Sequence, residues 1–199
     1  HEANRLGTNS LLDIVVFGRA AAKRAADTVK SGATLPPVNT KSTDKALDRI
    51  DRMRHAKGDV RVGKLRLDMQ RAMQQYAAVF RTGASLDEGV KKMGAIASEI
   101  GDIGIQDRSL IWNTDLIEAL ELENLMGQAL VTVRSAQQRT ESRGAHAHED
   151  FPDRDDENWM KHTVMWLDNK NHSTIDYRDV TMNTLSNETQ PIPPVARVY

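Results

Sequence analysis

The stretch Leu11-Leu12-Asp13-Ile14-Val15-Val16-Phe17 constrains this chain more than any other, because its apolar side chains wrap most of the way round their turns. A helix apolar along one stripe covers a core, whereas a helix apolar nearly all round has to lie inside one. The pattern predicts a helix from Leu11 to about Lys30, continued by Ala20, Ala21, Ala22, Ala25 and Ala26. Ser10 stands at its N-cap, with Asp13 three residues on in a capping-box arrangement, and Gly32 closes it. Ile14, Val15, Val16 and Phe17 are expected to be covered by something outside residues 11–30. Residues 43–199 can supply only part of that cover, because their own apolar stripes are committed to one another. The chain therefore reads as starting in the middle of something larger.

Four further helices follow from the 3.6-residue period. Thr43 to about Ala56 carries Leu47, Ile50 and Met53. Val60 to about Phe80 carries Leu65, Met69, Met73, Tyr76 and Phe80. Ser85 and Glu88 match a capping box for a helix ending near Gly101 or Gly104. The longest runs from about Thr114 to Ser142 with Leu116, Leu120, Met126, Leu130 and Val133 on its stripe; Arg134, Arg139 and Arg143 suit its C-terminal dipole. These helices predict an antiparallel bundle over 43–142, with Leu65, Met69, Met73, Leu120, Leu125 and Leu130 in its core. Beyond Gly144, residues 149–157 form an acidic loop, solvated or partner-facing. His162–Leu167 and Ser173–Arg178 alternate as strands of a hairpin turning at Asp168–His172, and Pro191–Pro194 is extended. With 5% aromatic residues the core has to be aliphatic and Met-rich, which fits helices.

The chemistry is bounded by what is absent. With 27 Lys+Arg against 28 Asp+Glu there is no global basic field, so nucleic acid is not an expected partner. Without cysteine the chain holds no disulfide, iron–sulfur cluster or Cys-ligated zinc of its own. No apolar run reaches the roughly 18 residues of a membrane span. His146 and His148 lack a third ligand at fixed spacing, so a loop histidine making hydrogen bonds is the favoured reading and no metal site is expected. The segment Asn4-Arg5-Leu6-Gly7-Thr8-Asn9-Ser10 is the exception: an arginine in a Gly-containing turn leading into a helix N-terminus, suited to a carboxylate. A salt bridge within a tight turn accounts for the same residues about as well.

That segment, with Leu11-Leu12-Asp13 and Val15-Val16-Phe17-Gly18-Arg19-Ala20, resembles the flavoprotein subunit of succinate dehydrogenase. The likeness continues in Leu67–Gln74, Val79-Phe80-Arg81, Glu141–Phe151, Trp159–Thr163 and Pro193–Tyr199, so it covers essentially the whole chain. His148 and the short acidic loop suggest the bacterial-to-mitochondrial branch. The resemblance implies a mainly α fold in three parts. Residues 1–35 end an FAD-binding domain, 36–142 form the helical bundle, and 143–199 form a small α+β C-terminal region with the hairpin. It implies FAD as cofactor, oxidation of succinate to fumarate, and electron transfer through an iron–sulfur subunit, held by membrane anchor subunits, to quinone. Its location would be peripheral on the inner membrane, facing the cytoplasm in bacteria or the matrix in mitochondria. Arg5 would clamp a substrate carboxylate, Thr8 would contact the substrate, and Ser10 and Leu11 would contact the flavin. Glu2 stands where the family has Gly, a departure that sets a negative charge beside a dicarboxylate pocket. The dinucleotide-binding glycines, the flavin-carrying histidine and the proton-shuttling arginine belong upstream, so this chain alone should be inactive. Alternatives are a fumarate reductase or L-aspartate oxidase relative, which share the turn, or a helical assembly module without chemistry.

Overall fold

In the computed structural model, residues 9–168, 170–184 and 187–195 are described. Three helices make the core: α3 (Val62–Tyr76), α4 (Gly83–Ser98) and α5 (Thr114–Gln138). Each buries a stripe at helical spacing, Val62, Leu65, Met69 and Ala72 on α3 and Leu86, Met93 and Ile96 on α4. On α5 the stripe is Leu116, Leu122, Met126, Leu130 and Val133. Each large side chain fully withdrawn from water contributes roughly 1.5–3 kcal/mol. Helix directions follow from the cross-links. Arg66 near the start of α3 reaches Glu118 and Glu121 near the start of α5, so α3 and α5 run parallel. Gln137 near the end of α5 bonds Asp87 near the start of α4, so α4 runs antiparallel to both. A Cβ on Gly89 would stand 2.7 Å from Tyr76 Cβ and 3.2 Å from Val133, so the absence of a side chain there sets the three-helix spacing.

The expected core holds with one exception. Leu65, Met69 and Leu130 are buried, and Met73 and Leu120 pack partly buried against them. Leu125 is 40% exposed and Leu122 takes its place, because Leu125 lies one residue, about 100°, round the helix from Met126. α2 (Thr40–Arg54) lies along α5 but sends only Met53 into the core; Leu47 and Ile50 face outward. It is tied to α5 by Arg49, whose Nε donates to Glu123 at 2.7 Å and whose Nη2 donates to Asn124 at 3.1 Å.

The helix starts differ in detail from expectation. Asn39 caps α2, and Asn113 caps α5 by accepting from the Leu116 amide while donating to the Asp107 and Ser109 carbonyls. The capping box of α4 is Thr82 with Ser85, not Ser85 with Glu88: the Thr82 hydroxyl accepts from the Ser85 amide and the Ser85 hydroxyl accepts from the Thr82 amide, both at 3.1 Å. Gly58 and Gly104 are not mere helix ends. Their backbones meet in short bridges linking 57–60 with 103–104, where a Cβ on Gly58 would collide with the Asp102 carbonyl and one on Gly104 with the Gly58 carbonyl.

The hairpin forms as predicted, with β3 (Lys161–Leu167) antiparallel to β4 (Ser173–Asp179). It packs through β3 on α5. A second, two-residue pairing has no sequence signal: β1 (Phe80–Arg81) lies parallel to β2 (Ala147–His148). The extended tail is held at Val195, whose carbonyl accepts from Arg154. α1 (Asn9–Thr28) stands apart from this body. Ile14, Val15, Val16 and Phe17 are 50–66% exposed, so residues 43–199 leave them open to solvent, as their circumference implied.

Candidate functional site

Two groups of side chains are the candidates: the start of α1, and a charged cluster where the end of α5 meets the C-terminal region. Arg5, Thr8 and the His1-Glu2 pair lie outside the described residues. Ser10 is not the N-cap, because α1 begins at Asn9 and Ser10 sits in its first turn. Its hydroxyl is buried and finds no hydrogen-bond partner among the described residues, while Leu11 beside it is 65% exposed. Among the described residues this sets a buried hydroxyl without a partner next to an open apolar side chain in the first turn of a helix.

The second group centres on Glu141, whose side chain has no solvent exposure. Arg139 donates to its Oε1 through Nε at 2.8 Å. Arg143 donates to Oε1 through Nε at 2.8 Å and to Oε2 through Nη2 at 3.0 Å. The Asp155 amide adds a bond to Oε2 at 2.9 Å. Burial alone raises the Glu141 pKa, but the bonds from Arg143, the Asp155 amide and Arg139 outweigh it and hold the carboxyl below its ordinary value. Arg143 continues to Asp156 at 2.7 Å, and Asp156 to Arg154 at 2.8 Å. The acidic loop is thus knitted into the body rather than simply solvated; Asp150 caps the first amide of α4 at Gly83 at 2.7 Å. Arg139 and Arg143 lie beyond the end of α5 and act through these contacts, while Arg134 donates to the Asn171 carbonyl and ties α5 to the hairpin turn.

His146 makes the hydrogen bonds expected of it. Arg81 Nη1 donates to Nδ1 at 2.8 Å, so Nδ1 is an acceptor and Nε2 carries the proton, which it donates to the Arg139 carbonyl at 2.9 Å. Both ring nitrogens are engaged and the ring is neutral. Burial is the main cause of its lowered pKa, opposed by the bond to the Arg139 carbonyl and reinforced by the Arg81 charge. His148 is buried, with its ring edge-on to both His146 and Phe151, and its Nδ1 has no partner among the described residues. No group of three or more His, Cys, Asp or Glu side chains suited to a metal occurs among the described residues. The sequence reading missed the Glu141 centre; the signal that could have found it is Arg139-x-Glu141-x-Arg143, a carboxylate between two arginines at spacing two.

The described residues form a helical body with a small hairpin region and a separate helix carrying a buried hydroxyl. Comparison with known proteins shows the class to which this arrangement belongs. The family described as "Fumarate reductase flavoprotein C-term" matches residues 66–199. The chain is 54% identical over all 199 residues to a succinate dehydrogenase flavoprotein subunit of Rickettsia bellii, and covers 33% of it. It is 52% identical to the mitochondrial succinate dehydrogenase flavoprotein subunit of Oryza sativa, covering 31%. Among solved structures, a point-mutant E. coli quinol fumarate reductase superposes with a TM-score of 0.81 at 31% identity, over 95% of this chain and 33% of that one. The chain belongs to the succinate dehydrogenase and fumarate reductase flavoprotein family, and spans about a third of the length of the curated relatives it matches.

Proposed function

We propose that this chain is the C-terminal third of an enzyme that oxidises succinate to fumarate with FAD. The identity of 54% across every residue to a subunit of that name carries the reading. Residues 1–35 then close an FAD-binding domain, 36–142 form the bundle that braces it, and 143–199 clamp the far end. The exposed apolar circumference of α1 supports the first assignment, because a flavin domain supplies the cover that residues 43–199 do not. The orphan hydroxyl of Ser10 and the open face of Leu11 fit an isoalloxazine edge. When bound, FAD supplies the two-electron oxidation. The chain's own residues bind and orient. Arg5 presents a planar two-donor fork to a substrate carboxylate, and Thr8 adds a hydroxyl contact. The N-terminus of α1 favours negative charge beside it.

In this reading the electrons leave through an iron–sulfur subunit and membrane anchor subunits, and the assembly lies peripherally on the inner membrane, on its cytoplasmic or matrix side. No helix among the described residues is long and apolar enough to cross a membrane. The reverse direction is the second reading, favoured by 37% identity to a Mycobacterium tuberculosis protein named fumarate reductase flavoprotein subunit. The test is to purify the complete subunit, record its flavin absorbance, and assay succinate oxidation with a dye, fumarate reduction with a reduced dye, and L-aspartate oxidation. Flavin with succinate turnover supports the reading; aspartate turnover, or a complete subunit without flavin, overturns it.

A further inference from the structure

Positive charge without a carboxylate partner among the described residues gathers in a cleft between the C-terminal half of α5, β1 and the start of β3. The cleft has a volume of about 560 Å³ and is lined by Arg81, Ser135, His146, Trp159 and Lys161 together with neighbouring residues. Arg139 and Arg143 also border it, but their charge is committed to Glu141 and Asp156. Arg81 and Lys161 have no carboxylate partner among the described residues. Arg81 donates to the Ala78 carbonyl, the Ala77 carbonyl and neutral His146, which uses three of the five N–H groups of a guanidinium and leaves its charge uncompensated. Burial lowers its pKa, the sign of a cation held at a cost in solvation that no nearby anion offsets. Lys161 Nζ stands 5.0 Å from the centre of the Trp159 ring and 4.4 Å from that of Tyr177, two faces that attract a cation without neutralising it. The Ser135 hydroxyl has only the weak acceptor Met165 Sδ at 3.9 Å.

We propose that this cleft is a binding site for a compact anion with clustered carboxylate or phosphate oxygens, held between the Arg81 guanidinium and the Lys161 ammonium. A planar fork and a point charge lining one cleft suit an anion with several oxygens. His146 acts as a positioning residue: its neutral Nδ1 fixes the Arg81 guanidinium with its free N–H groups unspent.

The experiment is isothermal titration of the complete flavoprotein subunit at low salt. Pyrophosphate and citrate are titrated separately. The expected result is saturable binding of at least one probe, weakened about tenfold or more by Lys161→Gln and by Arg81→Gln, the scale of one lost charge-assisted hydrogen bond. Binding in an Arg5→Lys subunit should match the wild type, which separates this cleft from the substrate clamp. Tighter pyrophosphate marks a phosphate ligand and tighter citrate a polycarboxylate. Because Arg81 also braces the turn at 77–78, Lys161→Gln decides if Arg81→Gln does not fold. Absence of saturable binding, or binding that Lys161→Gln leaves unchanged in a folded subunit, overturns the proposal.

Discussion

A carboxylate with no solvent exposure is stable at position 141 because every direction around it holds a donor: Arg139, Arg143 and the Asp155 amide. Taking the charge away while leaving its partners leaves Arg139 without a carboxylate and Arg143 with Asp156 alone. Glu141→Gln is therefore expected to lower stability by about 3 kcal/mol or more, read as a shift of the urea midpoint. A loss below about 0.5 kcal/mol, the scatter of a surface substitution, would show that the arginines find other partners. His146 gives the second expectation. Its folded pKa lies below the ordinary 6.5, so the unfolded chain takes up the proton first as pH falls. The stabilisation is full above about 6.5 and is lost as pH drops toward the folded value. Glu141 acts in the same sense lower down, with full effect above 4.5 and loss as pH falls through its depressed folded value. Between pH 7.5 and 5.5, urea unfolding of the wild type should lose more stability than that of His146→Gln; equal losses would remove the histidine from the account.

The helices and the hairpin were legible because each repeats its period over many residues: every four or three on α3, every two on β3. Their ends were less so. Thr82, Asn39 and Asn113 cap through single side-chain bonds that other polar residues nearby imitate. The pairing of β1 with β2 left no trace, since two-residue strands far apart in the chain carry no periodicity. The Glu141 cluster was hidden by a plausible local alternative, because arginines near a helix C-terminus are explained well enough by its dipole. At the start of α1 the apolar helix could be read from residue type, whereas the buried Ser10 hydroxyl needs a neighbourhood. Two glycines test the packing of these elements. Gly104→Ala drives a methyl group into the Gly58 carbonyl and should cost about 1–3 kcal/mol. Gly94→Ala on α4 meets nothing within 4 Å and should stabilise the helix by roughly 0.5–1 kcal/mol. Thermal melts of both variants check the pair: an unchanged or raised midpoint for Gly104→Ala would contradict the close backbone approach there, and a lowered one for Gly94→Ala would contradict the open space on α4.

Taken whole, the molecule is a closed helical body with one helix that the body does not cover. Contiguous exposed apolar surface of that kind favours association. The 199-residue chain alone is expected to bind a hydrophobic dye and to self-associate, and Val16→Glu with Phe17→Asp should suppress both. Sedimentation and dye fluorescence read the effect; a monodisperse, dye-free wild-type chain would mean that α1 folds back onto the bundle. The clamp assigned to Arg5 stands at the centre of the functional account. Its most direct test is the steady-state kinetics of succinate oxidation by the complete subunit carrying Arg5→Lys. A lysine keeps the charge and loses the fork, so kcat/KM should fall at least about tenfold while flavin content stays at the wild-type level. Wild-type kinetics in that variant would contradict the account.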